Sequence, residues 1–155
     1  MTSKYRFSSI DADYHQFHLQ DANAAKGSLA DAWTTEAQAR DLAVAPFIVG
    51  IGTKRNTSVW LDLEVYDIKP ELKLTNNIIR VVECSLELPS GKIIITSPTQ
   101  PLNYSDSILL APNVYRLRVH FGKTSQRGLH RYKVLIWQEA FAPVKVIEPN
   151  LFAKV

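Results

Sequence analysis

Two histidines and three aspartates stand within one short stretch, DADYHQFHLQDAN at 11 to 23, interleaved with Tyr14 and Phe17. Imidazole and carboxylate groups ligate divalent metals, and a His–Asp pair can act as a general acid/base couple. Either chemistry requires convergence of the side chains. The composition of 13–19 favours an extended strand over a helix, and a strand sends His15, Phe17 and Leu19 to one side and Tyr14, Gln16 and His18 to the other. The two imidazoles then cannot share an ion, and no H-E-x-x-H or C-x-x-C completes a ligand set. The expectation is a core-facing His15 held by a hydrogen bond, an exposed His18, and neither metal nor other cofactor.

Nothing else in the chain spells out catalysis. There is no G-x-S-x-G elbow, and IVGIGTKRN at 48–56 lacks the spacing of a phosphate loop, so Gly50 and Gly52 read as a bend or bulge in a sheet. The reading is a binding protein, not an enzyme.

Two charged stripes remain. Trp60, Asp62, Glu64 and Tyr66 share one side of TSVWLDLEVYD, an acidic face with aromatic anchors that suits a protein interface. Arg116, Arg118 and His120 share one side of VYRLRVHF, near Lys123, Arg127, Arg131 and Lys133. Such a stripe is either a solvated sheet face or a surface for the phosphates of a nucleic acid.

The elements that must position these groups are strands. Period-two alternation places Val59, Leu61, Leu63 and Val65 opposite the acidic stripe, and Tyr115, Leu117, Val119 and Phe121 opposite the basic one. Further β-branched or aromatic runs lie at 45–52, 78–88, 91–96, 131–141 and 144–148, and the PSG at 89–91 predicts a hairpin over 78–97. Only TEAQARDLA at 35–43 is helix-like, with Thr34 or Thr35 as cap. The Pro-rich 98–113 reads as a loop with a short strand at 107–110. Many short strands and one short helix predict an all-β fold, an antiparallel β-sandwich forming one domain over residues 1–155.

Composition agrees with a globular chain, 46% hydrophobic and 21% charged. No run approaches the roughly 18 apolar residues of a membrane span, and no signal-peptide pattern stands at the start, so a cytoplasmic protein is expected. The one cysteine, Cys84, lies in an apolar run and reads as a buried thiol. The net charge of +3 conceals an asymmetry: residues 7–68 carry nine acids against four bases, residues 69–155 twelve bases against six acids. That imbalance hints at a charged partner.

YHQF at 14–17, WTTEA at 33–37 and RNT at 55–57, in that order, resemble the competence protein J family, inhibitors of the bacterial DNA-entry nuclease. The matching positions are Tyr14, His15, Gln16, Phe17, Trp33, Thr34, Glu36, Ala37, Arg55, Asn56 and Thr57. The resemblance implies a small cytoplasmic protein that binds a cognate nuclease and blocks it. The partner surface is assigned to Glu36, Trp60, Asp62, Glu64 and Tyr66. The whole chain's basic pI, about 9.0, departs from a uniformly acidic mimic of DNA. The alternative is a nucleic-acid or polyanion-binding β module, and the sheet edges leave a homodimer open.

Overall fold

Alternating apolar and polar residues need two surfaces to bury one face of each strand, and the chain supplies them as two sheets packed face to face. A computed structural model of the chain describes residues 3–24, 29–54, 58–99, 107–122 and 131–147. β1 (Ser3–Asp11) is followed by a 3-10 turn at Asp13–His15 and by β2 (Gln16–Asp21). A second 3-10 turn, Ala30–Ala32, leads to α1 (Thr35–Arg40), β3 (Leu42–Ala45), β4 (Ile48–Gly52) and β5 (Ser58–Tyr66). Then come β6 (Ile78–Leu88), β7 (Lys92–Thr96), β8 (Ile108–Leu109), β9 (Asn113–Gly122), β10 (Arg131–Gln138) and β11 (Lys145–Ile147). The six-stranded sheet has the order β1-β5-β10-β9-β6-β11 and the five-stranded sheet the order β3-β4-β2-β7-β8.

The all-β sandwich with one short helix is what alternation predicted. Pairing is antiparallel except between β5 and β10, which run parallel. Alternation carries no information on strand direction: the chain leaves β5, passes through both sheets and returns alongside it.

The core between the sheets takes the residues that alternation assigned to it. Leu61, Leu63, Leu117 and Val119 meet Phe17, Leu19 and Ile51 from the other sheet, all at 0% exposure. Phe17 stands edge-on to Tyr132 at 5.6 Å, and Tyr132 to Phe121 at 5.9 Å. Each such large side chain contributes about 1.5–3 kcal/mol by leaving water. Cys84 is in this core, where burial pushes its thiol up to about 12.

Four local expectations are corrected. The PSG turn joins no hairpin, because β6 and β7 belong to different sheets. It is a corner, with Gly91 at φ 72° approached so closely by the Leu110 carbonyl that a Cβ would lie 2.5 Å from it. Turn chemistry reverses the chain but does not choose the sheet it enters. The helix stops at Arg40: Asp41 adopts a left-handed conformation, and Leu42 and Ala43 are drawn into β3, both fully buried. Propensity could not register that demand from the core.

Gly50 and Gly52 sit in unbroken ladders, not at a bulge. Gly50 is needed for close approach, since a Cβ there would meet Leu29 at 2.7 Å and Trp33 at 3.1 Å. Finally, the strand expected from Asp13 begins only at Gln16, so the histidines exchange places: His15 is exposed in the turn and His18 is buried.

Candidate protein-binding cleft

The outer face of the six-stranded sheet carries the charged residues in transverse rows. One row runs from Arg6 through Asp62, Lys133 and His120 to Val81. The next runs from Lys4 through Glu64, Leu135 and Arg118 to Glu83. Tyr66, Trp137, Arg116 and Ser85 make a third. These residues alternate with the core-facing ones along each strand, so the sheet pleat itself aligns them.

The basic stripe is neither a solvated face nor open to phosphates, because Arg116 and Arg118 are 3% and 2% exposed. Arg118 Nε donates to Glu83 across 2.7 Å, its guanidinium lies 4.9 Å from the Trp137 ring centre, and it donates to the Pro70 carbonyl at 3.0 Å. Arg116 donates to the carbonyls of Ala142 and Pro143, both at 2.8 Å. Each arginine thus fastens a connecting segment over the sheet, 69–77 in one case and 139–144 in the other. The sequence did not reveal this because Glu83 and the capping carbonyls are remote along the chain.

The acidic stripe is likewise largely neutralised. Asp62 accepts from Arg6 at 2.9 Å, while Glu64, 5% exposed, accepts from the Tyr66 hydroxyl at 2.6 Å and has Lys133 at 3.5 Å and Lys4 at 3.8 Å. That hydrogen bond, with burial and the Glu64 charge, pushes the Tyr66 phenol up to about 12. Trp60 is half-buried and carries the Arg131 guanidinium 4.8 Å from its ring centre.

Between this face and the 69–77 segment lies a cleft of about 960 Å³. Asp62, Tyr66, Glu71, Lys73, Arg131 and Lys133 line it together with Ile78 and Leu135, and His120 lies against it. Beside it the exposed Ile68, at 80%, and the partly exposed Leu72 and Leu74 offer apolar surface.

The structure therefore brings Trp60, Asp62, Glu64 and Tyr66 together on β5. Glu36 stands apart, exposed on α1, which packs over the outer face of the five-stranded sheet through Ala37, Leu29, Ala43 and Ile48. His120 belongs to the cleft although the sequence grouped it with Arg116 and Arg118; its signal was its place in the same alternation.

Of the residues that carry the family resemblance, Gln16, Phe17, Trp33, Thr34 and Ala37 sit elsewhere and hold the architecture. Gln16 Oε1 receives the Trp33 indole N–H at 3.0 Å and lies 2.7 Å from His18 Nε2. Thr34 caps α1 by accepting from the Ala37 N–H, and Ala37 and Phe17 are fully buried. Burial lowers His18 to about 4, which keeps it neutral. Tyr14, by contrast, is 70% exposed, and it and His15 have positive φ. Arg55, Asn56 and Thr57, like Lys123 and Arg127, lie outside the described residues. Among the described residues, no three His, Cys, Asp or Glu side chains converge as metal ligands. No helix among them is long and apolar enough to cross a membrane.

Two opposed sheets, each with a segment over its outer face, define a β-sandwich with charged rows and a cleft on one outer face. Its fold is similar to that of the crystal structure of ComJ, inhibitor of the DNA degrading activity of NucA, from Bacillus subtilis. The TM-score is 0.67 at 18% identity, covering 88% of this chain and 96% of that one. It is also similar to the crocagin biosynthetic gene J product, with a TM-score of 0.55 at 13% identity over 88% of this chain and 95% of that one. The resemblance to the competence protein J family is thus matched by the fold, which alternation alone had predicted as an all-β sandwich. No protein-family model and no curated protein sequence matches the chain.

Proposed function

We propose that this protein is a stoichiometric inhibitor of a nuclease, acting in the cytoplasm of a bacterium by binding, not by chemistry. The observation that carries this reading is the likeness to ComJ, inhibitor of the DNA degrading activity of NucA, over nearly the whole of both chains. The outer face of the six-stranded sheet is the docking surface. Trp60, Asp62 and Tyr66 provide rigid aromatic and polar contacts beside the cleft, and the exposed Ile68, Leu72 and Leu74 add apolar surface of the kind protein interfaces use. Glu64 acts from below, by fixing Tyr66 and Lys133.

This surface does not imitate DNA. Its two central acids are already compensated by Arg6, Lys4 and Lys133, so inhibition is by steric cover of the nuclease and not by a free array of carboxylates. The nucleic-acid-binding alternative loses Arg116 and Arg118, two of its six basic residues, since both are buried and engaged.

The experiment is titration of the nuclease encoded beside the gene with purified protein. Loss of DNA degradation at one-to-one stoichiometry, without DNA binding by the inhibitor alone, supports the reading. Full nuclease activity at excess protein contradicts it.

A further inference from the structure

His120 is the incomplete member of an otherwise satisfied surface. Along its row the charges alternate, Arg6, Asp62, Lys133, and then the imidazole faces Val81, which offers no polar side-chain atom. Neither ring nitrogen has a hydrogen-bond partner among the described residues, although the residue is only 7% exposed. Buried polar atoms are nearly always paired, and leaving them unpaired costs stability. Here the unpaired ring lines a cleft of about 960 Å³, a size that suits a ligand, while both nitrogens are themselves covered, so a ligand reaches them as the ring turns.

The surroundings select the ligand's charge. Lys73, Arg131 and Lys133 line the cleft as cations, with Lys133 also 3.5 Å from Glu64 and Arg131 over Trp60; of its two acids, Asp62 is paired with Arg6, leaving Glu71. Burial, then Lys133 and Arg118, hold the His120 pKa down to about 4, outweighing the opposite pull of Glu64 and Glu83. Positive potential therefore prevails at the ring. A neutral imidazole offers one N–H donor, and an ammonium offers three. A carboxylate can accept from both at once, and charge-assisted bonds of this kind are the strong ones. It would also continue the alternation of charge along the row. Ile78 and Leu135 give the cleft apolar walls, which favour a carboxylate carried on an apolar body.

We propose that the cleft is a binding site for a carboxylate group, received between the His120 imidazole and the Lys133 ammonium. The site goes beyond the inhibitor reading and does not rest on it.

Side-chain NMR of the full chain, titrated with hippurate and separately with its neutral amide, tests the site. Saturable shifts of the His120 ring nitrogens are expected with hippurate, with the ring's pKa rising and the exposed His15 unmoved. The amide should bind at least tenfold more weakly, and K133Q should weaken hippurate severalfold while keeping His120 as the reporter. An unmoved His120 ring, or equal responses to hippurate and its amide, overturns the proposal. If the site holds, a second arm identifies the carboxylate's source. Displacement of hippurate by the inhibited nuclease assigns it to the partner protein, and simultaneous binding assigns it to a small molecule. Failure of inhibition leaves the hippurate result standing, so the two readings fall separately.

Discussion

The indole N–H of Trp33 donates to Oε1 of Gln16 across 3.0 Å, joining two segments seventeen residues apart in sequence. The bond fastens the 29–41 cover to β2, over the space that Gly50 leaves by having no side chain. W33F should lose the bond and part of the packing and destabilise the protein by about 1–2 kcal/mol, read as a lower urea midpoint. The same variant should retain inhibition where it is folded, because this cover lies on the other sheet from the proposed docking face.

Gln16 and Trp33 also show what was legible in the sequence. Alternation identified the core face of β5 and β9, because each strand's inner residues meet only apolar neighbours. Membership of sheets was hidden: the turn at Gly91 could serve a hairpin or a corner, and the choice depends on β2 pairing with β7. The outer face was hidden for a related reason. Arg116 and Arg118 alternate as surface residues do, and only Glu83, Trp137 and the overlying carbonyls, distant in sequence, make them interior. The cleft inherited that limit, since His120 acquires its meaning from Lys133 across the sheet.

Arg118 and Glu83 form a buried pair, and removing the arginine leaves the buried Glu83 with only the longer contact to Arg116 at 3.8 Å. R118A should destabilise the fold by about 3–5 kcal/mol. Thermal or urea unfolding measures this loss. A cost near zero would mean that the arginine is not the clamp of the 69–77 segment.

Asp21 closes the corner by accepting from the backbone N–H groups of Asn23, Ala24 and Ser90 and from the Ser90 hydroxyl, at 2.8–2.9 Å. Burial would raise its pKa, but these four donors outweigh it and hold the carboxyl below its ordinary value of 3.8. The unfolded chain therefore takes up this proton first as pH falls. The stabilisation is complete above pH ~4 and is lost as pH drops through the depressed folded value. D21N should cost about 1–3 kcal/mol at neutral pH. The gap between the two proteins should narrow below pH 4 in urea unfolding series.

His120 predicts an opposite effect on stability. H120L removes two orphaned nitrogens and should raise stability by about 1 kcal/mol or more at pH 7, measured by thermal unfolding. The pH dependence follows from a pKa of 6.5 lowered to about 4: between these values the unfolded state binds the proton and the folded state does not. Stability is thus lost as pH falls from 6.5 towards 4, and H120L should flatten that slope. An H120L variant that is less stable than the parent at pH 7 would show that the ring is satisfied in solution.

In the proposed function the protein blocks a nuclease by covering it with the outer face of the six-stranded sheet. The most direct measurement of this is residual degradation of duplex DNA by the neighbouring gene's nuclease, titrated with the protein at concentrations well above the dissociation constant. Steric cover predicts a linear fall to zero activity at a molar ratio of one. Undiminished degradation at a tenfold molar excess would contradict it.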